Sequence, residues 1–162
     1  MQAPTIYSTA VDPAWIDYNG HLRDGYYGVI MSFACDALMD RLGLDERYRH
    51  ETNCTLFTLE QHQHFLHEVK GSDRVEVRVR ILGADRKRLH AAFDFHTIHY
   101  VDPVAIGEMM LLHVHQSETA TASAPFPAGI STAIEAMRVA TAASAAPPQG
   151  SRRIELRARA SG

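Results

Sequence analysis

The residues able to do chemistry are concentrated in one stretch, 15-WIDYNGHLRDGYYG-28. It places Asp17, Asn19, His21 and Asp24 in a loop rich in turn residues that opens directly onto a helical pattern. A helix start presents unpaired N–H groups and the positive end of the backbone dipole, which together can hold a carbonyl oxygen or an oxyanion. A carboxylate a few residues upstream can then act on that carbonyl as general base or nucleophile. Glycines at 20, 25 and 28 let a ligand come close to the backbone. The same letters also describe an ordinary turn with Asx-type caps and a solvated aspartate.

Other polar clusters carry less. His62/His64 and His113/His115 are spaced to share a strand face, as zinc ligands do, but no carboxylate or cysteine pattern completes a zinc signature and HExxH is absent. Ordinary strand or interface histidines are the expectation, and no metal. Arg86-Lys87-Arg88 sits at a hairpin, where three cations suit either phosphates or a solvated turn. No GxSxG elbow, P-loop or GxGxxG is present.

The elements that position these residues are legible from their periods. Residues 5–11 read as a strand closed by Asp12-Pro13. From Tyr26 to Leu42 the apolar spacing is helical: Tyr26, Ile30, Phe33 and Ala37 form one stripe, with Tyr27, Ala34, Leu38 and Leu42 beside it. Asp24 is the expected N-cap and Gly43 the stop. After a polar stretch at 45–53, worth a helical turn or two, the period becomes two. Strands are expected at 55–69, 75–83, 88–101 and 104–116, and their short separators favour antiparallel meander pairing. The last strand is apolar on both faces and is expected to be central. One long helix, apolar over more than half its girth, calls for a curved sheet wrapped around it. Such a sheet leaves edges that a second copy can cover, so a dimer or larger assembly is expected.

The chain has 162 residues, 46% hydrophobic and 22% charged. That is one domain, and a chain of this size buries roughly 68–70% of its unfolded surface without staples. Sixteen Lys+Arg against nineteen Asp+Glu give a net charge of −3, which argues against a nucleic-acid partner. No apolar run approaches the roughly 18 residues of a membrane span, so no membrane is expected. Two cysteines make no disulfide framework, and Met1 to Ala10 lacks a secretory profile, so the expected location is cytoplasmic. From Glu118 the composition turns to Ala, Ser, Thr and Pro. Residues 1–117 are therefore taken as the domain and 118–162 as a peripheral extension, with a helix at 128–142 and an Arg-rich end expected to be disordered.

The loop 15-WIDYNGHLRDGYY-27 and the strand–helix–four-strand order over residues 5–117 resemble the hotdog-fold acyl-CoA thioesterases, especially the 4-hydroxybenzoyl-CoA thioesterase-like group. With 59-LEQHQHFLHEV-69 and 82-LGADRKRLH-90 the resemblance is closer to one branch, the betainyl-CoA thioesterases of bacterial carnitine degradation, some of which are fused to L-carnitine dehydrogenase. The resemblance implies an α+β hotdog fold, a five-stranded antiparallel sheet around one central helix, and a homodimer or homotetramer. It implies hydrolysis of a small acyl-CoA, with betainyl-CoA as the specific expectation and no cofactor. Carried over by position, Asp17 matches the catalytic carboxylate, and backbone N–H groups near Asp24 and Gly25 match the site that polarises the thioester carbonyl. Asn19 and His21 complete the expected catalytic set, His21 either by a positioning hydrogen bond to Asn19 or Asp17 or by direct proton transfer.

A betainyl group carries a quaternary ammonium, which must be recognised by aromatic faces or a carboxylate. The candidates are Trp15, Tyr18, Tyr26, Tyr27 and Phe57. Tyr26 and Tyr27 lie on the helix's apolar stripe and read most simply as core, so Trp15 and Tyr18 in the loop are preferred. Glu60 suits the negative charge, a second catalytic carboxylate or an outward-facing strand position. Arg88 and its neighbours are the candidates for the phosphates of coenzyme A. The alternative function is a non-catalytic acyl-CoA or small-ligand binding module on the same fold.

Overall fold

The computed structural model describes residues 3–142. Strand β1 (Thr5–Ala10) is followed by a 3₁₀ turn at Pro13–Trp15, helix α1 (Asp24–Leu42), a short helix α2 (Glu46–Thr52) and strand β2 (Cys54–Phe65). Strands β3 (Arg74–Ala84), β4 (Arg88–His96) and β5 (Ala105–Gln116) come next, then a three-residue strand β6 (Thr121–Ser123) and helix α3 (Ala128–Thr141). The sheet order is β1-β3-β4-β5-β2, with β6 paired to β5, and every pairing is antiparallel.

The helix and the sheet face each other through their periods. In α1 the buried residues are Tyr27, Ile30, Met31, Ala34, Cys35, Leu38 and Leu42, a stripe with helical spacing. In β3 Val75, Val77, Val79 and Ile81 alternate inward, and in β4 Leu89, Ala91, Phe93 and Phe95 do the same, all joining one core. Phe33, expected on the apolar stripe, is 47% exposed and instead stacks on Tyr7 of β1, with centroids 5.9 Å apart. The N-cap is Arg23, and Asp24 is the first helical residue; Gly43 ends the helix as expected.

Strand β5 is interior, between β4 and β2, as its two apolar faces require, but the middle of the five is β4. The meander expectation holds for β3-β4-β5 but not for β2, which pairs with β5 and not with β3. The reason lies in residues 66–73, which are no simple turn. Val69 is fully buried, its carbonyl accepts the Leu22 N–H at 2.8 Å, and the Asp73 carbonyl accepts the Val11 N–H at 3.0 Å. The segment is a strap tied to the loop before α1, so β2 ends at Phe65 rather than at 69.

Gly107 on β5 decides how close α1 can lie. A Cβ at this position would strike the Sδ of Met31, which is fully buried and has nowhere to move. Overpacking of this kind costs about 1–3 kcal/mol. Gly107→Ala is expected to lower the urea midpoint with an unchanged slope; an unchanged midpoint would show that the helix can shift away at no cost.

Residues 118–142 are built into the domain rather than appended to it. Phe126 and Ile134 are 7% and 2% exposed within the core, Ile130 and Met137 pack against it, and the Thr141 hydroxyl accepts the Ile81 N–H at 3.3 Å. Their spacing is an apolar helical stripe that an Ala- and Thr-rich composition concealed. The Arg-rich end expected to be disordered lies outside the described residues.

Candidate active site

The loop before α1 folds as a miniature hairpin. Asp12 Oδ1 accepts the Ala14 N–H at 2.8 Å and starts the 3₁₀ turn. The Asp17 N–H then donates to the His21 carbonyl at 2.9 Å, the Arg23 N–H donates to the Trp15 carbonyl at 3.0 Å, and Gly20 turns the chain at φ +82°. Only a residue without a Cβ sits there without strain.

Asp17 is half-buried at the base of this hairpin. Its Oδ1 accepts the backbone N–H of Asn19 at 2.8 Å and of His21 at 3.1 Å. The His21 N–H is the largest influence holding its carboxyl below the ordinary 3.8; burial opposes the shift, while Asn19 and the His21 ring reinforce it. Asp17 is therefore an ionised carboxylate over the whole neutral range. Asn19 is exposed, and both its backbone N–H and its side chain favour the ionised carboxylate.

The second arm of the hairpin lies along the strap, where His21 bridges to Lys70. This brings His21 Nε2 within 3.1 Å of Glu68 Oε2. Between them opens a cavity of about 310 Å³, lined by His21, Asp24, Tyr27, Phe65, His67 and Glu68 among others. Tyr27 is 4% exposed and meets Phe65 edge-on at 5.0 Å, and the His67 ring stacks on Tyr100 at 4.3 Å. Burial, with the charge of Asp73 in second place, raises the Tyr27 hydroxyl to about 12, so it stays a neutral donor. Asp17 does not line this cavity itself; it stands one hydrogen bond behind His21, which does.

The start of α1 differs from expectation in one respect. The Gly25 N–H is already taken, because Asp24 Oδ1 accepts it at 2.8 Å, and the Tyr26 N–H donates to the Arg23 carbonyl at 3.0 Å. A negative charge near the helix N-terminus satisfies the same dipole an oxyanion needs. Among the described residues, the N–H of Asp24 itself is left without a partner in this first turn.

Of the aromatic candidates, Tyr27 alone reaches the cavity. Trp15 and Tyr26 stack on each other, with centroids 5.3 Å apart and planes 17° apart, and so fasten the loop to the helix. Tyr18 is 94% exposed. Phe57 and Glu60 lie on β2, where Glu60 contacts His62 at 3.2 Å. Arg88 is held by Asp85 at 2.6 Å on the β3–β4 hairpin, the end of the sheet away from Asp17. Sequence reasoning gave no site role to Phe65, His67, Glu68 or Tyr100. The first three end the segment 59-LEQHQHFLHEV-69, but their position depends on the strap, which looks like a strand end and a turn.

Of the paired histidines, His62 meets Glu60 and His113 has a local structural role. His113 is 1% exposed, its Nε2 lies 2.8 Å from the Tyr48 hydroxyl, and its Nδ1 lies 3.0 Å from the Ala124 carbonyl.

Comparison with known proteins places this geometry. Residues 11–134 match the family model of the thioesterase-like superfamily. The chain is 48% identical over 136 residues to the betainyl-CoA thioesterase of Pseudomonas aeruginosa, covering 84% of each protein. It superposes with a TM-score of 0.80 on a crystal structure from Pseudomonas putida KT2440 assigned as a thioesterase, with 42% identity over 98% of this chain and 99% of the other. A Staphylococcus aureus protein solved in complex with CoA matches with a TM-score of 0.79 and 25% identity, over 97% of this chain and 98% of the other.

Proposed function

The chain belongs to the thioesterase-like superfamily and is a hotdog-fold acyl-CoA thioesterase, and from that premise we propose that its substrate is betainyl-CoA, hydrolysed to glycine betaine and coenzyme A. The observation that carries this reading is the cavity beside His21. It offers aromatic faces from Tyr27, Phe65 and His67, the last backed by Tyr100, together with two carboxylates, Asp24 and Glu68. A trimethylammonium group accepts no hydrogen bond, and faces plus negative charge are what it needs. The same surroundings penalise an anionic acyl group.

In the proposed reaction, Asp17 activates water or attacks the acyl carbon directly. By the first route the water oxygen bonds to that carbon and its proton passes to the Asp17 carboxylate; the C–S bond then breaks, and the leaving sulfur takes that proton to depart as the thiol and restore the carboxylate. The Asp24 N–H polarises the carbonyl; the Gly25 N–H joins it when the Asp24 side chain turns aside. His21, hydrogen-bonded to Glu68, borders the reacting carbon.

The protein works as a dimer or tetramer. Among the described residues β2 is an edge strand, paired on one side only, with β5, and Phe57, Leu59 and Phe65 are 39%, 55% and 51% exposed. A long apolar edge of that kind is covered by pairing. Both cysteines are free and buried, which suits the reducing cytoplasm.

The test is to compare betainyl-CoA with tert-butylacetyl-CoA, which has the same shape with carbon in place of the charged nitrogen. The expected kcat/KM ratio is roughly ten to a hundred in favour of the cation, and Glu68→Gln narrows it. Equal rates would keep the hydrolase and discard the cation pocket. Thiol release from neither ester, nor from straight-chain or aromatic acyl-CoAs, would favour a binding module.

A further inference from the structure

Beyond the His67–Tyr100 ring pair lies a second, larger cavity of about 590 Å³ that the acyl site leaves unused. It is lined by Arg74, Glu76 and Arg78 of β3, by His96 at the end of β4, and by the loop that follows from Thr97 to Val101. Val75, Val77 and Val79 are fully buried on the helix side of β3, so Glu76 and Arg78 project from the opposite face. The register sets Glu76 beside His96 and Arg78 beside Asp94.

The polar groups here divide into those already used and those free. Asp73 is 5% exposed: its Oδ2 accepts the Lys70 N–H at 2.8 Å and its Oδ1 lies 3.0 Å from His99 Nε2. Arg74 donates to the Ser8 hydroxyl at 3.0 Å. Arg78 is half-buried and has no hydrogen bond or ion pair among the described residues, and the same holds for Glu76. Thr97 is 7% exposed, and its Oγ1 is buried with no partner among the described residues. Burial and then the Arg78 charge lower the His96 pKa below 6.5, against the pull of Asp94, Glu76 and Asp102. Around these groups the loop exposes apolar surface, with Ile98 at 92%, Tyr100 at 38% and Val101 at 97%.

A ligand that completes this site brings an anion for Arg78, hydrogen-bond donors for Glu76, a polar partner for Thr97 and a flat face for Tyr100. A bare phosphate supplies only the first. A phosphorylated adenosine supplies all four, through its phosphates, its ribose hydroxyls and amino group, and its base. Resting on the thioesterase reading, the substrate's carrier ends in such a nucleotide. We propose that this cavity holds the phosphorylated adenosine of coenzyme A, with Arg78 on a phosphate, the adenine against Tyr100, and the connecting arm crossing the His67–Tyr100 pair to the acyl site. The phosphate contact then falls to Arg78 and not to Arg86-Lys87-Arg88, which lie eight residues away along β4 from His96, roughly 25 Å at the rise of a strand.

The experiment uses Arg78→Ala and the charge-keeping Arg78→Lys. Expected for Arg78→Ala is a KM for betainyl-CoA raised roughly ten- to a hundredfold with kcat unchanged, while KM for betainyl-pantetheine, which lacks the nucleotide, stays at the wild-type value. Arg78→Lys restores part of the loss. In parallel, calorimetric titration with adenosine 3′,5′-bisphosphate is expected to show binding to the wild type, weakened by the same factor in Arg78→Ala. An equal rise in KM for both thioesters, or bisphosphate binding indifferent to Arg78, overturns the proposal. If no thioester is hydrolysed but the bisphosphate still binds in an Arg78-dependent way, the nucleotide site stands and the hydrolase reading falls.

Discussion

Asp17→Asn is expected to lower thioester turnover by roughly 10²- to 10⁴-fold, the range that a positioned general base contributes. Asparagine keeps the shape of the side chain and an oxygen for the N–H groups of Asn19 and His21, so the loop hairpin survives and binding of coenzyme A is unchanged. The pH profile gives an independent reading. The His21 N–H, aided by Asn19, lowers the carboxyl below 3.8. The base is fully ionised above that value and is lost only as pH falls through the lowered pKa. Wild-type activity therefore holds from neutral pH down to the acid range, and its acid limb lies below an ordinary aspartate's. A limb near neutrality would move the base to an imidazole, and wild-type turnover in Asp17→Asn would remove Asp17 from the mechanism.

The largest effect on stability is expected at the other face of the sheet. Arg80 Nε and Nη2 donate to the two oxygens of Asp94 at 2.7 and 2.8 Å, and the two residues are 4% and 8% exposed. Removing one partner leaves a buried charge without compensation. Asp94→Ala is thus expected to cost about 3–5 kcal/mol. At about 2–4 °C per kcal/mol for a domain of this size, Tm falls by roughly 6–20 °C. The double variant Arg80→Met with Asp94→Leu removes both charges at similar volume and is expected to recover most of the loss. If the double variant is as unstable as Asp94→Ala, packing rather than unpaired charge is responsible. Thermal and urea denaturation of the three proteins separate these outcomes.

Periodicity by itself determined much of this protein. Val75, Val77, Val79 and Ile81 alternate with charges and can form only a half-buried strand, and Ile30, Ala34 and Leu38 can be buried together only on a helix. The Asp17 turn was equally legible, because it is closed locally, by the N–H groups of Asn19 and His21 two and four residues ahead. Local interactions leave their mark in local sequence.

The cavity beside His21 was decided by tertiary structure. Phe65, His67 and Glu68 reach His21 only because Val69 is buried and its carbonyl takes the Leu22 N–H, a contact across 47 positions of sequence. The same strap carries β2 away from β3 to the free side of β5. Trp15 and Tyr26 illustrate the converse: their types suited a cation box, but each is the other's nearest flat surface, and they stack. Residue type says what a side chain can do, and only the packing of distant segments decides what it faces.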